Sequence, residues 1–186
     1  MPDETNVDFL LALRDGTLVR VRPIRADDGE RLRAFHARVS PDSIMFRYFR
    51  ALPVLSEGMV EHLTHVDYAT RMALVATLDA GDDEQIIAVV RYEGISAAAA
   101  EVAFLVEDRW QGHGIATALL HHLAAHARER GFTSFVAEVM DSNHRMREVL
   151  RMAGFPHTVR YESGCVEEYL DITAPPLATF GAANHH

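Results

Sequence analysis

Gln111-Gly112-His113-Gly114-Ile115-Ala116 is the stretch with the plainest chemistry in the chain. It lies between an apolar strand pattern over 102–106 and an amphipathic helix pattern over 114–130. Glycines let a backbone approach an anion closely, and the first turn of a helix offers free N–H groups at the positive end of its dipole. The turn therefore reads as a phosphate cradle and implies a phosphate-bearing cofactor. Two common versions are excluded. A dinucleotide fingerprint needs a third glycine where Thr117 stands, and a P-loop needs Gly-Lys-Ser/Thr, which does not follow. Other candidates are weaker. His122 and His126 have a metal-ligating i, i+4 spacing, but there is no glutamate at the metalloprotease position and no third ligand, so partly solvated histidines and no metal are expected. Cys165, the single cysteine, has no His/Asp pattern near it and reads as structural rather than nucleophilic.

The elements that must position this turn follow from local patterns. Phe9, Leu11 and Leu13 alternate, Asp15-Gly16 supplies a tight turn, and Leu18 to Arg22 continues as a strand closed by Pro23. Asp27 or Asp28 can cap a helix carrying Leu32, Phe35 and Val39. Pro41 and Asp42 open a short helix to about Tyr48, and Ser56 caps a third that ends near Leu63. Met72 to Leu78 and Ile86 to Tyr92 read as strands around an acidic loop over 79–83. A strand from Glu101 to Val106 precedes the glycine turn. The helix after it carries Ile115, Leu119, Leu123 and Ala127 on one stripe and stops at Gly131. Then come a strand (Phe135 to Met140), a helix (Asn143 to Ala153, ended by Gly154) and a last hairpin around Ser163-Gly164. The strand–helix–strand unit over 101–140 should be a right-handed parallel crossover. The first half is not βαβαβ, which argues against a standard dinucleotide fold.

Length and composition bound the rest. A chain of 186 residues, 48% apolar and 24% charged, fits one soluble domain, expected over 1–172, with a flexible tail over 173–186 that ends in His185 and His186. One cysteine allows no internal disulfide and fits a reducing, cytoplasmic setting. No signal-peptide pattern opens the chain, and no apolar stretch approaches the roughly 20 residues that span a bilayer. A net charge of −9 argues against nucleic acid as partner and is compatible with a cationic substrate.

With the elements in this order, Gln111 to Ala116 resembles the Gln/Arg-x-x-Gly-x-Gly/Ala signature of the GNAT (Gcn5-related) N-acetyltransferases. Phe104-Leu105-Val106 before it, Leu119-Leu120 after it, and Asn143 with Gly154-Phe155 extend the likeness over roughly 18–172. Asp15-Gly16-Thr17, Arg22-Pro23-Ile24-Arg25, Arg47-Tyr48-Phe49, Glu101 with Ala103-Phe104, and Phe135 to Val139 are similar to the acetyltransferase domain of bacterial Pat-type protein lysine acetyltransferases. Those enzymes acetylate an active-site lysine of acyl-CoA synthetases, and many carry a second domain, which 186 residues are not expected to hold.

The resemblance implies an α/β (α+β) GNAT fold. Its central sheet is mixed and mostly antiparallel, and the family's parallel strands 4 and 5 splay apart between flanking helices. It implies acetyl-CoA as donor, no metal, and an amine acceptor: a protein lysine, or alternatively a small amine or amino acid. A non-catalytic acyl-CoA-binding module is the reading from another class. Phe104, Leu105 and Val106 would pair with the pantetheine arm like an added strand. Gln111 and the backbone of Gly112, His113, Gly114, Ile115, Ala116 and Thr117 would hold the pyrophosphate. Asn143 would hydrogen-bond the arm or cap its own helix. An amine with a pKa of about 10.4 is almost wholly charged at neutral pH, so a carboxylate must take its proton. The resemblance places that base at Glu101, with Glu138 as the competitor. A backbone N–H of the 104–106 strand would steady the oxyanion. The tyrosine that many such enzymes use to protonate the thiolate falls on Leu150, leaving Tyr161 and His157 as substitutes.

Overall fold

Alternating and continuous apolar runs become strands, and the runs with helical period become helices laid on both faces of one sheet. The computed structural model describes residues 7–177. In chain order the elements are β1 (Phe9–Ala12), β2 (Leu18–Pro23), α1 (Gly29–Arg38), α2 (Pro41–Tyr48), α3 (Glu57–Thr64), β3 (Arg71–Ala80), β4 (Asp83–Gly94) and β5 (Ala99–Val106). They continue with α4 (Ile115–Glu129), β6 (Ser134–Met140), α5 (His144–Met152), β7 (His157–Glu162) and β8 (Cys165–Asp171). The eight strands lie in the order β1-β2-β3-β4-β5-β6-β8-β7. Only β5 and β6 run parallel; every other pair is antiparallel. The expected mixed sheet is therefore present, and its parallel pair is the fifth and sixth strand of this chain.

That pair is joined for only three positions. Ala99 faces Ser134, Ala100 faces Phe135, and Glu101 faces Val136, after which pairing stops. Beyond that point β5 stays on β4 as far as Val106, and β6 stays on β8 as far as Met140. Each strand keeps its outer partner, so the sheet opens into a wedge rather than fraying. Two cores hold it open. Val90, Val102 and Phe135 pack with Leu119, Leu120 and Leu123 of α4 and with Leu150 of α5 on one face. Ala73, Val75, Val89 and Leu105 pack with Leu32, Phe35, Ile44, Val60 and Leu63 of α1 to α3 on the other. Val102 and Leu105 fall in different cores because side chains alternate along a strand.

Some local expectations change. The acidic loop over 79–83 is mostly strand: Asp79 pairs with Glu84 and Ala80 with Asp83 around a turn at Gly81. Arginines pay for those carboxylates, since Arg31 bonds Asp83 at 2.8 Å and Arg22 bonds Glu84 at 2.7 Å. Asp28 stands at the N-cap of α1 but makes no side-chain cap bond. Its oxygens accept instead from Arg22 (2.8 Å twice), Arg31 (3.2 Å) and the Arg25 N–H (2.8 Å). Ser40 and Ser56 do cap α2 and α3, accepting from Ser43 N–H and Met59 N–H at 3.2 Å each. The expected tail begins packed, because the Leu177 N–H donates to the Gly154 carbonyl at 2.9 Å. A Cβ at Gly154 would lie 2.6 Å from the Leu177 oxygen. His185 and His186 lie outside the described residues. No helix among the described residues is long and apolar enough to cross a membrane.

Candidate active site

The wedge between β5 and β6 is a cleft of about 930 Å³. Residues of α2 and α5 line it beside those of the two strands, and the 111–117 turn and the β1–β2 turn close one end. Glu101, Phe104, Leu105, Val106, Gln111, Gly112, Gly114, Ile115, Ala116, Thr117 and Asn143 all line it, as does Glu138. His113 does not. Its ring turns away, with Nδ1 3.8 Å from Asp15 and its face edge-on to Trp110.

The turn is built by two left-handed residues, Gly112 (φ 81°) and Gly114 (φ 88°). Side chains are strained in that region, so glycine is the natural occupant. α4 starts directly after Gly114, which offers no side-chain cap, and its first turn holds no acidic residue. The N–H groups of that first turn have no acceptor within the helix. They border the cleft and suit an anion.

Gln111 has a different role from the one its place in the signature suggests. Its Nε2 donates to the Val106 carbonyl at 3.0 Å and to Ser43 Oγ at 3.2 Å. Its Oε1 accepts from Arg145 Nη1 at 2.7 Å. The side chain thus ties the end of β5 to α2 and α5. Asp108 continues the tie, accepting from Ser40 N–H (2.9 Å), Ser40 Oγ (2.7 Å) and Ser43 Oγ (2.9 Å). Burial alone would raise the Asp108 pKa; the serine hydrogen bonds outweigh it and lower it. Asn143 caps α5, with Oδ1 accepting from the Met146 N–H at 3.2 Å, which leaves its NH₂ protons for another partner.

At the other end stand two carboxylates. Glu101 sits at the last parallel pair, where the strands part, and is exposed into the cleft. Glu138 is exposed on β6. Among the described residues neither makes an ion pair or a side-chain hydrogen bond. Glu93, opposite Glu101 on β4, is engaged by His62 at 3.4 Å and Arg71 at 3.8 Å. Leu150 is fully buried in the core and does not line the cleft. Neither substitute acid lines it: Tyr161 lies on β7 with its oxygen accepting from Arg147 at 2.9 Å, and His157 starts β7. No Tyr, His or Cys side chain lines the cleft among the described residues.

An open parallel pair with a glycine turn and helix N-terminus at its wide end, and a carboxylate at its apex, is the arrangement that the signature implies. The acetyltransferase (GNAT) family model matches residues 44–155. The chain belongs to the GNAT acetyltransferase family. GNAT enzymes use acetyl-CoA as the donor, and the wedge presents an unpaired strand edge and a turn of free backbone N–H groups. The chain is 31% identical to an acetyltransferase of Pseudomonas aeruginosa over 77% of this chain and 78% of that one. It is 32% identical to the acetyltransferase Pat of Mycolicibacterium smegmatis, over 90% of this chain but only 49% of that protein. It thus spans about half of that relative. The GNAT domain of S. lividans PAT has a similar structure, with a TM-score of 0.83 and 42% identity over 92% of this chain and 99% of that one.

Sequence reasoning missed part of this GNAT site. Arg14, Ser40, Ser43, Asp108 and Arg145 all line the cleft. Arg14 stands 98 positions from Gly112, whose carbonyl its Nη1 reaches at 3.5 Å. No local pattern links the two. The serines and Asp108 carried a signal only as a cap and a turn residue. His126, expected to be partly solvated, is buried, because Tyr92 reaches across from β4 to meet it. No group of three His, Cys, Asp or Glu side chains suited to a metal occurs among the described residues.

Proposed function

We propose that the chain transfers acetyl from acetyl-CoA to the side-chain amine of a protein lysine, with Glu101 as general base. The observation that carries this reading is Glu101 itself, a carboxylate at the apex of the wedge with no partner among the described residues. A charged amine is drawn there by Glu101 and Glu138 and must lose a proton before it attacks. Glu101 takes that proton, directly or through a water. The N–H groups on the open edge of β5 face the charge that builds on the carbonyl oxygen. Proton delivery to the departing thiolate needs no tyrosine here, since a thiolate leaves readily and solvent reaches the cleft.

A protein acceptor is favoured over a small amine by the rim. Phe46, Phe49 and Met152 line the cleft, and Phe49 and Met152 are 37% and 50% exposed. Exposed apolar side chains on the cleft that also holds Glu101 and Glu138 suit the surface beside a protruding lysine. The likeness to PAT points the same way and makes an acyl-CoA synthetase the first acceptor to test.

The test is incubation with labelled acetyl-CoA, one panel of small amines and one proteome, followed by mass spectrometry. Acetyl-lysine on protein is the expected result. Label confined to small amines overturns the protein acceptor. CoA binding without transfer to either panel would leave only an acyl-CoA-binding module.

A further inference from the structure

The glycine turn has a charge deficit. Gln111, Gly112, His113 and Gly114 bring no permanent cation to a site that must hold the phosphates of a nucleotide, and the Gln111 side chain is fully engaged in bracing. The His113 ring faces Asp15 rather than the cleft. The counter-charge must come from elsewhere in the fold.

We propose that Arg14, carried by the β1–β2 turn, supplies it as a phosphate-binding residue that makes the enzyme select CoA over its unphosphorylated arm. This rests on the reading of the cleft as the acetyl-CoA site. Four observations converge. Arg14 lines the cleft. Its Nη1 is 3.5 Å from the Gly112 carbonyl, and a Cβ at Gly114 would be 4.0 Å from its Nε, so the guanidinium lies over both glycines. That long contact is its only hydrogen bond, and it has no carboxylate partner among the described residues. Finally, it is held in place: the turn is closed by Leu13 N–H to Thr17 O (2.8 Å) and Gly16 N–H to Leu13 O (2.9 Å). Buried Leu13 anchors the turn in the core, and Asp15 meets His113.

Of the other arginines that line the cleft, Arg145 already gives Nη1 to Gln111, and the Arg47 guanidinium lies over the Tyr48 ring at 4.7 Å. Arg14 keeps most of a planar donor fork for phosphate oxygens, a geometry that lysine does not reproduce.

The experiment compares acetyl-CoA, acetyl-dephospho-CoA and S-acetylpantetheine as donors for the wild-type chain, Arg14→Ala and Arg14→Lys. The readout is the ratio of the S-acetylpantetheine KM to the acetyl-CoA KM. It should fall about 10- to 100-fold in Arg14→Ala and less in Arg14→Lys. If acetyl-dephospho-CoA keeps the full effect, Arg14 holds the diphosphate; if it loses the effect, Arg14 holds the 3′-phosphate. An unchanged ratio in Arg14→Ala overturns the proposal. So does an equal rise in KM for all three donors, which would mark a general distortion of the cleft. Calorimetric titration with CoA separates the two levels. A wild-type chain that does not bind CoA sinks the cofactor reading, whereas equal binding by wild type and Arg14→Ala sinks only the role of Arg14.

Discussion

Two regions of this molecule hold charge in opposite ways. Beside β2, Arg22 is fully buried and its donors are all engaged, by Asp28, Glu84 and the Pro23 carbonyl at 2.7 to 3.4 Å. Burial works against the Arg22 charge, but the hydrogen bonds of Asp28 and Glu84 outweigh it and hold its pKa above the ordinary guanidinium value. Burial likewise raises the Asp28 pKa, and the bonds from Arg22 and the Arg25 N–H more than reverse it. In the cleft, Glu101, Glu138 and Arg14 have no opposite charge bound to them among the described residues. Matched charges in the first region join β2, α1 and β4 into one body. Unmatched charges in the second are available to a ligand. If that contrast is right, mutations in the two regions should fail in different measurements.

The largest effect belongs to Glu101→Gln. It removes the base and keeps the shape, so turnover at neutral pH should fall about 10²- to 10⁴-fold, with CoA affinity unchanged by titration. Glu138→Gln should cost far less. Unchanged turnover in Glu101→Gln would remove it as the base, and a collapse in Glu138→Gln alone would move the role to β6.

Next comes Asp28→Ala, on the matched side. It leaves a buried guanidinium short of its bidentate partner, and breaking such a pair costs on the order of 3–5 kcal/mol. Urea unfolding should show that loss, while folded protein keeps its CoA affinity. Combining it with Arg22→Met should recover much of the stability, because no unpaired charge is then buried. A loss confined to CoA affinity, with stability intact, would erase the contrast between the regions.

The sequence made one side of this contrast far more legible than the other. Gly112, Gly114 and the stripe from Ile115 to Ala127 are neighbours in the chain, so their geometry is a local matter of φ angles and helical period. Strand–helix–strand order around them was enough to expect the parallel pair, and the resemblance supplied its splay. The end of pairing at Glu101 is a tertiary outcome: it depends on β4 and β8 each holding its own strand. Asp28 looked like a cap because capping is local, whereas its partner is decided by the side of β2 on which Arg22 lands. The acidic stretch over 79–83 looked like a loop because its arginines come from β2 and α1. Arg14 was invisible for the same reason, with its partner loop on the far side of the fold. Local rules found the backbone of the site, and long-range charge matching, which they do not encode, decided its side chains.

His126 sharpens the contrast from a third position. It is buried between α4 and β4 and does not line the cleft. The Tyr92 hydroxyl donates to the Ala69 carbonyl at 2.8 Å and lies 3.1 Å from His126 Nδ1. Nδ1 therefore carries the proton and donates to Tyr92, while Nε2 has no partner among the described residues. An unmatched group that faces no cavity should serve stability rather than function, and its signature should be pH. Burial, with the Arg130 charge adding to it, pushes the His126 pKa from 6.5 down to about 4. The unfolded chain thus binds this proton more readily than the folded one across that window. Stability rises with pH wherever the unfolded state binds more protons, so it should be intact above about pH 6.5 and fall toward pH 4. The full span is about 3 kcal/mol, roughly 2 of it reached by pH 5. His126→Phe removes the titration, and its melting temperature should drop less between pH 7 and pH 5 than that of the wild-type chain. An equal drop in both would assign the sensitivity in this window to another imidazole such as His122, whose pKa is also lowered by burial, because paired carboxylates such as Asp28 lose their contribution only as the pH falls below about 4.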